Sequence, residues 1–435
     1  MFKVIKSIFS IKELRDRFFF TIWMLILFRV GVQIPVPGVN LLRLLEMTRG
    51  ESGGDFADFL NLFTGGAREN ASIFSLGVMP YITAMIILQL LKSVVPSLDQ
   101  MLKEGPEGRR KFQQYGRYGT VLVTIIQGII FARGLVESNK AYGFLTIGEI
   151  PFILIFTLSV TAGTLILMWM GEQITERGIG NGISLIIMVG IIARLPHSLF
   201  RLFIGVEKGA TDPLNLLIVL LLFFVIIGFV VFEELGMRKI PIQHTGRGGG
   251  SQFSFLPFKV NPTGVIPIIF ASSLLIFPAQ LNSWFGGKIA FLKVFSEQML
   301  PGRLWYSLAY FVLILFFAYF YTEVEVNPHD IAENLRRGGA FIPGVRPGQK
   351  TEEYLAYILN RITLPGAIFL GIIALIPNIV INILNVPSSL GYLMGGTSLL
   401  IMVGVALETL KQIESLFIMY HMEGFLVRAE KKKGA

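Results

Sequence analysis

Ten stretches of this 435-residue chain are apolar over about the 20 residues that a helix needs to cross the core of a bilayer, more than a soluble core of this size could absorb. They fall at 18–35, 73–93, 118–137, 151–172, 183–204, 214–235, 264–282, 304–323, 362–383 and 396–415; the fifth, seventh and tenth are the least uniform. Inside lipid a backbone must satisfy its own polar groups, so each run is expected to be a helix. Charged residues are 15% of the chain, against about 25% in an ordinary soluble domain. Such a surface needs lipid as its solvent.

Charge then orients the runs. The N-terminus, the segments near 92–117, 171–182, 234–262 and 323–361, and the tail from 411 hold 26 of the 38 Lys and Arg. The alternate segments near 36–72, 133–150, 194–213, 282–303 and 384–395 hold 11, and Arg29 is the remaining one. The positive-inside rule places both termini in the cytoplasm, in keeping with an even number of spans. Lys3, Lys6, Lys12, Arg15 and Arg17 precede the first run as in a signal peptide. No small-x-small cleavage site follows, so an uncleaved first span and no transit peptide are expected.

The motifs of catalysis are missing. There is no GxxxxGK[ST], so no means of using ATP is visible. Gly178-Ile-Gly-Asn-Gly182 joins two apolar runs and follows no strand, which makes it a tight turn and not a nucleotide cradle. His197, His244, His329 and His421 are far apart and lack metal-ligand spacing, and there is no cysteine. Neither an enzyme nor a cofactor or metal site is expected.

The span interiors are nearly free of charge. Arg29 lies near the outer end of its run, where it can snorkel. Glu172, Glu233, Glu234 and Glu408 lie near cytoplasmic ends, and the interiors offer only Gln89, Gln127, Ser272, Ser273, Thr397 and Ser398. Coupled transporters keep ionisable groups at membrane depth. A charge-free interior suits a pore whose cargo must not bind tightly, and equally a structural subunit. A transporter for a neutral solute is the competing reading, favoured by the glycine-rich helix ends and disfavoured by the interior.

Two loops carry pattern. In 323–361, Asn327-Pro328 reads as an N-cap and first helical residue, Gly338-Gly339 ends that helix after Arg336 and Arg337, and Thr351 with Glu352 and Glu353 starts another. A structured basic protrusion suggests docking; a solvated loop that only sets topology is the alternative. In 36–72, Phe56, Phe59, Leu60 and Phe63 share one face of a short helix that Asp55 can cap and Gly65-Gly66 can end. It is too short to span, and pattern alone favours a place at the lipid interface over a cavity.

Taken in order, several segments resemble the SecY family, the central subunit of the bacterial protein-conducting channel. They are Ile34-Pro-Val-Pro-Gly38, Asn61-Leu-Phe-Thr-Gly-Gly66, Ser72-Ile-Phe-Ser-Leu-Gly-Val-Met-Pro-Tyr-Ile-Thr83, Glu104-Gly-Pro-Glu-Gly-Arg-Arg-Lys111 and Trp169 to Ser184. Lys259-Val-Asn261, Gly264-Val-Ile-Pro267, Phe341-Ile-Pro-Gly-Val-Arg-Pro-Gly348 and Gly395-Gly-Thr-Ser398 follow. The resemblance implies an all-α polytopic membrane protein of ten helices, in two pseudo-symmetric five-helix halves closed like a clamshell around an hourglass pore. The N-terminal segment is then 1–17, the halves 18–205 and 206–415, and the cytoplasmic tail 416–435. The C-terminal half carries cytoplasmic loops at 236–262 and 323–361.

By the same resemblance, Val78, Ile82, Ile183, Ile187, Ile269 and Ile401 form the apolar ring at the waist. The first two pairs are each four apart, so both members of a pair face one side of a helix. A narrow apolar collar dewets and blocks ions, and it offers a passing chain no fixed partner. The short helix matches the family's plug, about 55–66 with Phe56, Phe59, Leu60 and Phe63, which moves it into the cavity. Gln89, Ser272 and Ser273 fall on the lateral gate; Asn181 is either near such a contact or simply a cap. Arg346, supported by Arg336 and Arg337, is the expected docking point for the SecA ATPase or a ribosome. SecE and SecG complete the complex, and signal sequences, translocating polypeptides and lipids are its other partners, in the bacterial plasma membrane. Nucleic acid enters only through ribosome contact. One segment departs from the family: Ile242 to Gln252 is short, with Arg247 its only basic side chain besides His244, where several Arg and Lys and a tyrosine are usual.

Overall fold

The computed structural model describes residues 11–44, 63–207, 213–244, 252–284, 290–300, 303–384 and 396–433. Among them are thirteen helices and three strands: α1 Lys12–Val32, α2 Met79–Val94, α3 Pro96–Lys103, α4 Pro106–Tyr142, α5 Glu149–Arg177, α6 Gly182–Glu207 and α7 Pro213–Leu235; then β1 Met237–His244, β2 Gln252–Lys259, α8 Ile266–Trp284, α9 Ala290–Gln298, α10 Leu304–Glu325 and α11 Pro328–Arg337; and last β3 Ala340–Phe341, α12 Gln349–Leu384 and α13 Gly396–Lys433. Every apolar run falls on one of these helices. The second starts later than its hydrophobicity suggests. Residues 73–78 are turns, with Gly77 at φ +58°, and the helix begins at Met79 with Pro80 in its first turn, where a missing N–H costs nothing.

Five helices among the described residues are long and apolar enough to cross a membrane: Pro106–Lys140, Glu149–Arg177, Leu217–Leu235, Leu304–Arg337 and Gln349–Ile376. The pair α2 and α3, bent by 104°, makes a sixth if it counts as one span. The expectation of ten is therefore not met on length and composition alone. Among the described residues, Gly182–Pro196 of α6 and Ile266–Leu275 of α8 are shorter apolar stretches, and α1 carries Arg15, Arg17 and Arg29.

One large hydrophobic cluster unites α1, α2, α5, α6, α7, α8, α10, α12 and α13. Large aromatic and aliphatic side chains such as Phe28, Ile174, Tyr310 and Phe317 are fully buried in it, while Leu221, Phe224 and Phe232 of α7 point outward as lipid-facing residues do. Glycines permit the closest approaches. A Cβ at Gly163 of α5 would lie 2.0 Å from the Ile73 carbonyl oxygen, so α5 presses directly on the chain leading into α2. Gly163→Val should destabilise the protein by roughly 1–3 kcal/mol, read as a lower unfolding temperature in detergent. An unchanged temperature would contradict this contact.

The chain is not purely helical. β1 pairs antiparallel with β2 from Met237↔Lys259 to His244↔Gln252, and β3 adds to the other edge of β1. The alternation of Ile240 and Ile242 is the local signal for β1: both are buried, while Lys239 and Pro241 are exposed. These side chains pack with Phe258, Ala332, Ile342, Leu355, Ile358, Leu359 and Ile362. The described parts of segments 236–262 and 323–361 are thus one folded module with its own core. The fold of α11 is as its residues dictate. The Asn327 side chain accepts from the His329 N–H at 3.1 Å, and Gly338 and Gly339 terminate the helix, the latter at φ +64°.

Candidate pore ring, plug and gate

The six predicted ring residues lie in a single hydrophobic cluster. Val78, Ile82, Ile187, Ile269 and Ile401 are buried, and Ile183 packs partly exposed against that cluster. They come from four elements. Val78 caps α2 and its carbonyl accepts from the Ile82 N–H at 3.1 Å, which stacks the pair on one face. Ile183 and Ile187 are one turn apart on α6, Ile269 is on α8 and Ile401 on α13. Helices α2 and α8 touch, as do α6 and α13, so elements of both sequence halves meet here. The six predicted ring residues include no polar side chain, and β-branching stiffens each at χ1.

Of the predicted plug, Phe63 is buried in the same cluster, while Phe56, Phe59 and Leu60 lie outside the described residues. The segment after Phe63 is pinned. Gly65 and Gly66 take φ of +63° and +89°, and the Gly65 carbonyl accepts from Arg29 Nη1 at 3.1 Å. Arg194 of α6 forms an ion pair with Glu69. Arg29 therefore bonds inward to the chain and does not snorkel. Its guanidinium finds a carbonyl that the turn at Gly65 aims at it.

At the predicted gate Gln89 and the two serines bond to different partners. Ser272 and Ser273 both donate to the Ile269 carbonyl of their own helix, at 2.9 and 2.7 Å. Such back-bonding satisfies a serine hydroxyl without a partner helix. Gln89 of α2 instead accepts from the Tyr321 hydroxyl of α10, at 2.7 Å. Sequence reasoning missed Tyr321. Its only mark is a polar tip on the last turns of an apolar run. The Tyr321 ring stands edge-on to Phe270 of α8 at 5.1 Å, and Phe270 to Phe317 at 5.7 Å, so one aromatic group joins α8 and α10 behind this bond. Tyr321→Phe keeps the ring and deletes the donor. It should weaken the α2–α10 contact by about 0.6–2 kcal/mol, enough to raise lateral release of a weakly hydrophobic segment roughly 3- to 30-fold. Partitioning of such a segment between lipid and lumen measures this, and no change would remove the bond from the gate.

The glycine turn is bonded on two sides. The Ile179 N–H donates to Thr21 Oγ1 of α1 at 3.0 Å, and the Gly180 N–H to Gln412 Oε1 of α13 at 2.5 Å. Asn181 acts as a cap, accepting from the Ser184 N–H at 3.2 Å. Glu172 is not an isolated charge: Arg117 grips it through two bonds of 3.0 and 2.8 Å. Glu233 and Glu234, at the end of α7, are buried beside Asn261, Lys259 and Lys411. Lys411 Nζ donates to the Glu234 carbonyl at 2.9 Å, tying α13 to α7.

The predicted docking residues sit on the folded module. Arg346 is exposed on the turn after β3, beside an open cleft of about 570 Å³ that Lys350, Glu353, Tyr354 and Tyr357 also line. Arg336 and Arg337 are exposed on the last turn of α11, and Arg337 pairs with Glu333 at 2.7 Å. Arg247 lies outside the described residues.

Solved structures share this arrangement of helices. One described as the structure of a protein conducting channel matches with a TM-score of 0.68 at 20% identity, over 92% of both chains. Sec61 in a canine ribosome–channel complex from the endoplasmic reticulum matches with a TM-score of 0.62 at 18% identity, again over 92% of each. The fold is that of the protein-conducting channels. The SecY family model matches residues 72–410. Proteins named protein translocase subunit SecY from Aquifex aeolicus (strain VF5) and Escherichia coli (strain K12) are each 43% identical; they align over 98% and 97% of this chain and 100% and 95% of their own. The chain belongs to the SecY family.

Proposed function

We propose that this chain is the channel subunit of a bacterial protein translocase, a passive conduit that carries out no chemistry. Ten helices, α1, α2, α4 to α8, α10, α12 and α13, cross the plasma membrane, with both termini in the cytoplasm. Residues 18–205 and 206–415 form two halves whose meeting line is the pore. The observation that carries this reading is that Val78, Ile82, Ile187, Ile269 and Ile401 belong to one large hydrophobic cluster drawn from both sequence halves, with Ile183 packed against it. An apolar waist repels ions and grips no sequence, which is what a conduit for unrelated polypeptides requires.

The segment around Phe63 closes the waist from outside, and Arg29 and Arg194 hold its downstream end. The Gln89–Tyr321 bond and the Phe270 group keep α2 against α8 and α10, where a hydrophobic guest segment leaves for lipid. Energy comes from a partner docked on the Arg336–Arg346 module, the SecA ATPase or a translating ribosome, with SecE and SecG completing the complex. The Sec61 relative seen in a ribosome–channel complex supports a ribosome as partner. Reconstituted with a translocation motor, the complex should protect a secretory polypeptide from external protease only when ATP is supplied. Gradient-driven uptake of a neutral solute with no such protection would favour the transporter reading instead.

A further inference from the structure

We infer that α9 is an interfacial helix, lying in the outer headgroup region with Phe291, Val294 and Phe295 turned into lipid. Its nine residues are far too few to span, and it connects α8 to α10, touching both. Around its axis the side chains divide into three sectors. Leu292 is half-buried and Ser296 buried, on the side facing the protein, and Met299 just beyond the helix packs against the main core. Lys293 and Glu297 are exposed on a second side.

The third sector holds Phe291, Val294 and Phe295, at spacings of three and four residues, exposed by 74%, 59% and 39%, with the exposed Gln298 at its C-terminal edge. Phe291 and Phe295 stack on each other at 6.0 Å, a flat apolar surface that none of the described residues covers. A soluble loop needs two sectors, one for protein and one for water. A third, apolar sector between them calls for a third medium, which a short amphipathic helix finds at the acyl–headgroup boundary.

The occupant is argued to be lipid by continuity. Shortly after α9, α10 opens with Leu304 and Trp305, exposed by 80% and 57%, and goes on to Leu308, Val312 and Phe316 on the same outward side. Tryptophan at the start of a span marks headgroup depth. The apolar face of α9 therefore runs into the lipid-facing surface of α10 at the level where an interfacial helix lies. Placing α8 and α10 at the gate is the reading given under Proposed function. On that reading, α9 moors the moving arm of the gate to the outer leaflet. The depth of α9 itself stands independently of it.

The chain has no cysteine, so single cysteines can be introduced cleanly. An environment-sensitive fluorophore is attached in turn at Phe291→Cys, Val294→Cys, Phe295→Cys, Lys293→Cys and Glu297→Cys in the full complex, in phosphatidylcholine and phosphatidylglycerol vesicles. The first three probes should emit at shorter wavelength, and lipid nitroxides near the headgroup should quench them more than nitroxides deep in the acyl chains. Aqueous iodide should quench the last two. If iodide quenches all five, α9 is in water and the inference fails. If the first three are shielded from both iodide and lipid nitroxide, a protein surface covers the sector and the inference fails equally. The cysteine depths do not depend on whether any segment leaves through the gate, so loss of the gate reading and loss of this one are separate results.

Discussion

Ile187→Asp should turn the closed channel into an ion leak. Ile187 is fully buried in the large hydrophobic cluster to which the other proposed collar residues also belong. A carboxylate at the centre of a membrane helix costs about 2.5–3.5 kcal/mol and lowers that cost by drawing in water. Water is what the proposed collar excludes. Once a hydrated path exists, each 1.4 kcal/mol taken from the barrier to ion entry raises conductance about tenfold. Ion flux from vesicles holding the purified complex should therefore rise at least tenfold, and Ile401→Asp should behave alike. Ile187→Val, which keeps the collar dry, should leave flux low. If Ile187→Asp inserts normally and its flux equals that of the parent, these residues do not seal the membrane.

Arg346→Glu should abolish most motor-driven transport and leave the channel itself intact. Arg346 is exposed on the turn following β3, so its loss removes no core contact and stability should change by no more than about 0.5 kcal/mol. In a docked complex the reversed charge faces groups selected for a cation. Truncating one member of an interfacial charge pair costs about 2 kcal/mol or more, roughly 30-fold in affinity, and reversal costs at least that. ATP-driven transport at fixed salt should fall accordingly, with membrane insertion and unfolding temperature unchanged. Transport at the parental rate would free Arg346 of a docking role.

The helices are legible in the residues themselves. Every long apolar run lies on one, because lipid leaves the backbone no other way to satisfy itself. The caps at Asn327, Asn181 and Gly338 are legible too, since they depend on a few neighbouring residues. The features that local sequence hides depend on distant partners. The strand from Met237 has only eight residues, and its alternation becomes decisive once Phe258 and Leu355 cover one face. Gln89 is visible as a polar group in an apolar run, but its partner lies 232 positions away on α10. Ser272 and Ser273 look like its natural counterparts, yet they turn to their own helix instead. Arg29 reads as a snorkelling charge because nothing local announces that Gly65 will present a carbonyl to it.

The pore assignment is tested most directly by photocrosslinking from inside the collar. A secretory polypeptide is stalled in transit through the reconstituted complex, with photoreactive side chains placed one at a time at Ile82, Ile187 and Ile401, and at Leu221 and Phe224 of α7, which are exposed by 57% and 68%. The three collar probes should attach to the stalled chain and the two α7 probes to lipid. Attachment of the chain at α7 and never at the collar would contradict a conduit through these residues.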